Sequence, residues 1–215
     1  MAAITIIGTG NMAQGIARVA LRGGYEVIFH SREAGADRLA ELRALTEDAA
    51  QRVSAVAHGS DVSTELVVLA VPYANAEEVV TVYGEKLDGK ALVDISNPIV
   101  WSELRLIVPP AGSAAEQVAQ LAPHARVVKA FNTINASLFA SGRAGGLPLD
   151  VFIAGDDDAA KGLLIDLVNA GGLRGVDSGP LVHARELEAL EHLFVHMKGV
   201  GDNAAIKIVP GEVAS

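Results

Sequence analysis

The sequence has no cysteine, a shortage of basic residues and no long apolar run, and each lack removes a class of protein. Without cysteine there is no disulfide framework, no thiolate metal centre and no cysteine nucleophile. Lys and Arg number 17 against 26 Asp and Glu, a net charge of −9. That balance argues against nucleic acid, whose binding rests on clustered cations neutralising phosphates. The densest apolar run, LVVLAVP at 66–72, falls far short of the roughly 20 residues a membrane helix needs. The start, MAAITIIG, lacks the basic opening and extended apolar segment of a signal peptide. These features predict a soluble cytoplasmic protein with no nucleic-acid or membrane partner.

What the chain does have is hydrophobic alternation. Half of its 215 residues are hydrophobic, enough for one generous domain or a domain with a small addition. Short Val/Ile/Leu-rich runs predict strands at Ile4–Ile7, Glu26–His30, Val53–His58, Leu66–Val71, Ala91–Ile95, Arg126–Phe131, Val151–Ala154 and Leu173–Val176. Helical patterns lie between them near 11–22, 36–51, 74–83, 113–121 and 158–170. Continuous apolar strands alternating with helices imply an α/β fold, a doubly wound and mostly parallel sheet buried on both faces.

A last helix is expected over 183–198. Leu187, Leu190, Phe194 and Met197 recur at helical spacing, and Leu193 and Val195 widen the apolar surface beyond one core-facing stripe. Such a helix is buried either within the fold or at a dimer interface. Glu188, His192 and His196 share a spacing of four residues, which would present ligands to a metal, but no third ligand or supporting shell is evident and no metal is expected.

The strongest chemical signal is IGTGNMAQG, which follows the first strand and opens a helix, with Gly8, Gly10 and Ala13 in the three fingerprint positions of a dinucleotide-binding turn. Gly8 permits the tight turn, Gly10 admits the pyrophosphate, and Ala13 lets helix and strand pack closely. Unpaired amides at the helix start attract the diphosphate. In such folds a carboxylate about 20 residues on accepts hydrogen bonds from the ribose 2′-hydroxyl. Here that place holds Ser31 and Arg32. A hydroxyl and a guanidinium suit a 2′-phosphate, which an acid would repel, and Thr9 offers a further hydroxyl. The implied ligand is NADP(H).

Ligands of open α/β sheets bind beyond the carboxyl ends of the strands. The turns there read AVPY at 70–73, ISNP at 95–98 and FNTINA at 131–136. Val71, Pro72 and Tyr73 supply an apolar wall, and Asn97, Asn132 and the backbone near Ala136 suit a carboxamide, although each asparagine also suits a helix or turn cap. Acid–base residues are scarce at these turns. His30 and His58 end strands on the adenosine side, His124 falls in a loop, and the acids of GDDD at 155–158 mark a helix start. The site reads as one for positioning, with no residue assigned as a general acid or base.

The stretches GTGNMAQGIA, HSRE, AVP, GSAAE, KAFNTINA, IAGDDDAAK and VDSGPL occur in that order, and together they resemble the NADPH-dependent coenzyme F420 reductases, also called F420:NADP oxidoreductases. Similarity runs from Ile4 to about Lys207; the nucleotide domains of membrane metalloreductases are similar too. The resemblance implies a homodimer, each subunit an NADP-binding Rossmann domain over 1–140 with a small helical C-terminal portion over 141–215 that completes the acceptor site and the dimer interface. It places Thr9, Gly10, Asn11 and Met12 at the phosphates, Ser31 and Arg32 at the 2′-phosphate, Tyr73 beside the nicotinamide and Ala136 at the carboxamide. Hydride would pass directly from NADPH to coenzyme F420, a small-molecule deazaflavin acceptor, with Asn132 positioning the rings. Archaeal members tend to have histidine where this chain has Asn132 and a basic residue where it has Ala36, a place Arg38 would fill. Arg105, Arg143 and Arg185 are scattered candidates for an anionic acceptor tail. Two alternatives stay open: an NADPH-dependent reductase of flavin, quinone or ferric chelate, and a non-catalytic NADPH sensor.

Overall fold

In the computed structural model the described residues are 2–32, 36–44, 47–197 and 204–209, with the side chains of 36–38 and 47–49 also outside the description. Eight strands form one sheet: β1 (Ala3–Ile7), β2 (Glu26–Ser31), β3 (Val53–Ala57), β4 (Leu66–Leu69), β5 (Ala91–Asp94), β6 (Arg126–Lys129), β7 (Asp150–Gly155) and β8 (Arg174–Asp177). Their order across the sheet is β8-β7-β6-β5-β4-β1-β2-β3. The six strands from β3 to β6 run parallel, β7 is antiparallel to β6, and β8 is parallel to β7. The sheet order reverses at β1, between β2 and β4, and a crevice opens at such a switch point.

The helices are α1 (Asn11–Arg22), α2 (Ala36–Arg43), α3 (Tyr73–Tyr83), α4 (Ala114–Leu121), α5 (Asp158–Ala170) and α6 (Ala184–Val195). One buried cluster joins Ile4, Ile6 and Val68 to Ile16 and Val19 of α1 and Leu164 and Leu167 of α5. On the opposite face Ile7, Val67 and Leu92 pack on Val79 and Val80 of α3 and Val118 of α4. Covering both faces explains why the strands read as continuous apolar runs rather than alternating ones. The sequence expectation of a Rossmann-like α/β fold with helices at its C-terminal end holds.

Differences from the expected elements have local causes. The fourth strand ends at Leu69 because Pro72 caps α3. The sixth ends at Lys129, since Phe131 takes a left-handed backbone conformation, φ 61°, and turns the chain. The pattern at 36–51 resolves into α2 and a short 3₁₀ segment, Glu47–Arg52. Two ribbons were not foreseen: Ile99–Val100 with Arg105–Leu106, and Arg143–Ala144 with Leu147–Pro148. The acids of GDDD do open a helix, with the Asp157 side chain accepting a hydrogen bond from Ala160 N at 2.7 Å. Residues after 140 supply β7 and β8, which extend the same sheet. Among the described residues no helix is long and apolar enough to cross a membrane.

Candidate active site

Gly8 is fixed by the protein's own packing. Its φ is +111°, and a Cβ there would stand 2.3 Å from the Ala70 carbonyl oxygen, so no other residue makes this turn. Gly10 differs: a Cβ there would meet nothing within 4 Å. The fold does not demand that glycine, whereas a ligand approaching the backbone would. Gly10 is also the N-cap of α1 and offers no side-chain cap, so the helix presents its first amides uncapped. Gln14 Nε2 donates to the Thr9 carbonyl at 3.0 Å and steadies the loop. Gly15, which the sequence did not flag, lets α1 close on Phe139, whose ring would stand 2.5 Å from an added Cβ.

Two cavities flank this loop. The first, of about 480 Å³, is lined by Gly8, Thr9, Gly10, Ser31, Arg32 and Val71, with His30 and His58 beside them. The second, of about 770 Å³, is lined by Asn11, Met12, Tyr73, Asn97, Asn132 and Ala136 among others. Gly10, Ala70, Val71 and Pro72 belong to both. Gly8, Thr9, Gly10, Asn11, Met12, Ser31, Arg32, Val71, Pro72, Tyr73, Asn97, Asn132 and Ala136 each border one cavity or the other.

In the first cavity Ser31 ends β2 and is buried, while the exposed Arg32 guanidinium stands 3.7 Å from the Glu78 carboxylate. An exposed pair at that distance holds weakly, so the guanidinium is free to swing to a stronger anion. Behind the lining residues His30 and His58 lies buried Tyr83, which no sequence motif marks. Its hydroxyl lies 2.9 Å from His30 Nδ1 and accepts from Gly59 N at 3.1 Å. Burial, with His58 and Lys86 nearby, pushes the His30 pKa below the usual histidine value. Arg38, expected to assist at the 2′-phosphate, has its side chain outside the described residues.

The second cavity sits between the ends of β4, β5 and β6 and the face of α6. Asn97 Nδ2 donates to the Asn132 carbonyl and Asn132 Nδ2 to Asn97 Oδ1, both at 2.9 Å. Asn132 Nδ2 also donates to the Leu187 carbonyl of α6 at 3.0 Å. Beneath lies a buried ionic cluster: Lys129 Nζ is 2.8 Å from both Asp94 Oδ2 and Glu188 Oε1. Glu188 in turn accepts from Ala114 N at 3.1 Å and caps α4. Burial works against the Lys129 charge, but the two carboxylates outweigh it and raise its pKa.

That cluster disposes of the metal reading of α6. Glu188 turns inward to Lys129, whereas His192 Nε2 bonds the Leu104 carbonyl at 3.0 Å and His196 Nδ1 the His192 carbonyl at 2.8 Å. Leu187 of α6 is buried, but Leu193 and, just past the helix, Met197 remain 56% and 43% exposed, and Trp101 is exposed too. Among the described residues Ala184, Leu187 and Glu188 are buried and Leu190, Phe194 and Val195 are half-buried; Lys198, the expected end, lies outside the described residues. The arginines considered for an acceptor tail are engaged separately, Arg105 with Glu103, Arg143 with the Gly146 carbonyl and Arg185 with Glu116.

One further residue joins the cavity from α6. Glu191 lines it, and among the described residues the buried side-chain polar atoms without a hydrogen-bond partner are Ser96 Oγ, Asn132 Oδ1 and Glu191 Oε2. All three residues border the second cavity.

A doubly wound sheet with an uncapped helix start at its glycine loop and two cavities abutting that loop has the layout of a dinucleotide-binding Rossmann fold. The family described as NADP oxidoreductase, coenzyme F420-dependent, matches residues 3–98. The solved structure of a candidate F420-dependent NADP reductase from Arthrobacter sp. FB24 is 32% identical, with a TM-score of 0.81, covering 96% of this chain and 99% of that one. The F420-dependent NADP reductase of Methanocaldococcus jannaschii is 31% identical over 136 residues, 61% of this chain and 60% of its own. Metalloreductase STEAP3 of Rattus norvegicus is 32% identical over 187 residues, 87% of this chain but only 36% of the relative. The chain thus spans under two thirds of the length of these curated relatives. It belongs to the family of NADP-dependent, F420-type oxidoreductases.

Proposed function

We propose that this chain transfers hydride from NADPH to a deazaflavin of the coenzyme F420 type. The observation that carries the reading is the junction of the two cavities at Gly10, Ala70, Val71 and Pro72. A dinucleotide crossing there would lie with its pyrophosphate on the α1 amides, its 2′-phosphate against Ser31 and Arg32, and its nicotinamide in the larger space. At about 770 Å³ that space exceeds the need of one small ring and leaves room for a second against it. The empty Cβ position at Gly10 fits the pyrophosphate. NADPH, when bound, supplies the hydride from its dihydronicotinamide.

The chain's own residues do the rest by alignment. Transfer between two stacked rings needs reacting carbons about 3–3.5 Å apart, which binding both molecules in one pocket supplies. Val71, Pro72 and Tyr73 would wall the nicotinamide, while Asn97, Asn132 and Ala136 would fix its carboxamide or the acceptor. Residues 141–215 would complete the acceptor side through α6, and the half-covered helix with Trp101 would close a homodimer acting in the cytoplasm.

A second reading draws support from the metalloreductase similarity, which extends over 87% of this chain. On that reading the same pocket passes electrons to a flavin, a quinone or a ferric chelate. Steady-state oxidation of NADPH with coenzyme F420, FMN, a quinone and ferric citrate decides between them. Fastest turnover with F420 is expected; rapid reduction of FMN or ferric citrate without F420 reduction would move the enzyme to the second reading. NADPH binding without oxidation by any acceptor would make the chain a sensor.

A further inference from the structure

Glu191 was absent from every sequence argument above, yet it is the carboxyl group that the second cavity contains. It sits four residues after Leu187, on the inward side of α6, and lines the cavity with Asn97, Trp101, Asn132 and Asn135. Its Oε2 is buried without a hydrogen-bond partner. Ionisable groups on the elements around it are already engaged. Tyr73 donates to Gln117 Oε1 at 2.9 Å, Arg105 pairs with Glu103, Glu116 with Arg185, Glu188 with Lys129, and His192 and His183 bond backbone carbonyls. No cation reaches Glu191 among the described residues.

We propose that Glu191 is held neutral and donates a hydrogen bond, then a proton, to the ring that accepts hydride in this cavity. The inference rests on the reductase reading above. Burial alone pushes the Glu191 pKa up to about 7, so a donor proton is present at and below neutrality. An ionised carboxylate in the same place would have no donor to offer and no cation to offset it. The second and third unpartnered atoms fit the same occupant: Asn132 Oδ1 and Ser96 Oγ, in residues 4% and 5% exposed, offer an acceptor and a rotatable hydroxyl beside the carboxyl.

The chemistry balances. The dihydronicotinamide C–H bond breaks and its electron pair forms a new C–H bond on the acceptor. A ring nitrogen of the acceptor, now carrying the displaced electron pair, takes one proton from Glu191 Oε2. The carboxylate recovers its proton from water before the next turnover. A nicotinamide needs no such proton, which sets Glu191 on the acceptor side of the cavity rather than the cofactor side.

The test compares the wild-type chain with Glu191→Gln, which keeps the shape and an N–H donor but does not titrate. Stopped-flow transfer from NADPH to coenzyme F420 is followed from pH 6 to 9, with NADPH affinity measured alongside by fluorescence titration. Wild-type transfer should fall with an apparent pKa of about 7, while the variant is slower at pH 6 by about 100-fold and flat with pH. NADPH affinity should be the same in both within about twofold. Equal transfer rates in the two proteins at every pH overturn the proposal and leave the reductase reading intact. If the wild type does not reduce F420, the acceptor named above is wrong, and the same comparison with FMN decides Glu191 by the same criterion.

Thermal melts without any ligand give an independent readout. A carboxyl whose folded pKa lies above its unfolded value, about 7 against 4.5, contributes stability at low pH that is lost as pH rises through that window. The melting temperature of wild type relative to Glu191→Gln should therefore drop by about 5–10 °C between pH 5 and pH 8. A difference that does not change with pH overturns the neutral carboxyl on which the proposal stands.

Discussion

Asn97 and Asn132 stand at the ends of neighbouring strands and hold each other by reciprocal hydrogen bonds of 2.9 Å, one side chain to backbone and one side chain to side chain. The pair spends the donors of both amides on the protein and leaves Asn132 Oδ1 unpartnered at the cavity wall. An N–H of the bound acceptor ring is the natural partner for that oxygen. Asn132→Ala should lower turnover by about 10–100-fold, the loss of a positioning contact, while leaving measurable activity. Complete loss of turnover in a folded variant would show that Asn132 does more than position.

Arg32 gives the second prediction. A charge-assisted contact contributes about 1.5–3 kcal/mol, one to two powers of ten in affinity. Arg32→Ala should raise the Michaelis constant for NADPH by about 10–100-fold and leave that for NADH within about twofold. Equal losses with both cofactors would reject the 2′-phosphate assignment.

Lys129 ties α6 to the sheet through one cation between two carboxylates, all fully or nearly buried. Removing the cation leaves Asp94 and Glu188 facing each other unneutralised, at a cost of about 3–5 kcal/mol. Lys129→Met should show that loss in urea denaturation at pH 8. The loss should shrink at pH 5, because stranded carboxyls have raised pKa values and their penalty grows as pH rises. A variant as stable as wild type at pH 8 would mean that the cluster does not anchor α6.

The half-covered α6 gives the fourth. Exposed apolar side chains favour association, and Trp101, Leu193 and Met197 are among the large apolar residues left exposed. Light scattering should return about twice the chain mass of 22.2 kDa at micromolar concentration, and Leu193→Glu with Met197→Glu should halve it. A monomer in the wild type would refute the interface.

The alternation of apolar strand and helix was legible because both faces of the sheet are covered, and the glycine loop because the backbone permits little else at Gly8. Ser31, Pro72 and Asn132 were legible from their places at strand ends. Glu191 was not, since the pattern of α6 reads as a helix with polar residues facing water. A signal was there: Glu191 occupies the i+4 position from Leu187 and lies between Leu190 and Phe194, so an acid interrupts the apolar stripe. Tyr83 escaped for another reason. Its partners His30, His58 and Gly59 lie 24 or more residues away in the chain, and no local pattern announces a hydroxyl shared at that distance.

Unpartnered polar atoms also shape the energetics of the resting protein. Ser96, Asn132 and Glu191 come from three separate parts of the chain, so the folded state brings them together and leaves one side-chain atom of each without a partner among the described residues. A buried donor or acceptor without a partner costs about 1–3 kcal/mol. A ligand that fills the cavity and bonds those atoms would stabilise the folded state. A bound acceptor should shield the interior amides near β5 and β6 from hydrogen exchange as well as the loops it touches, and a cell short of acceptor would hold a more readily unfolded, more quickly degraded protein.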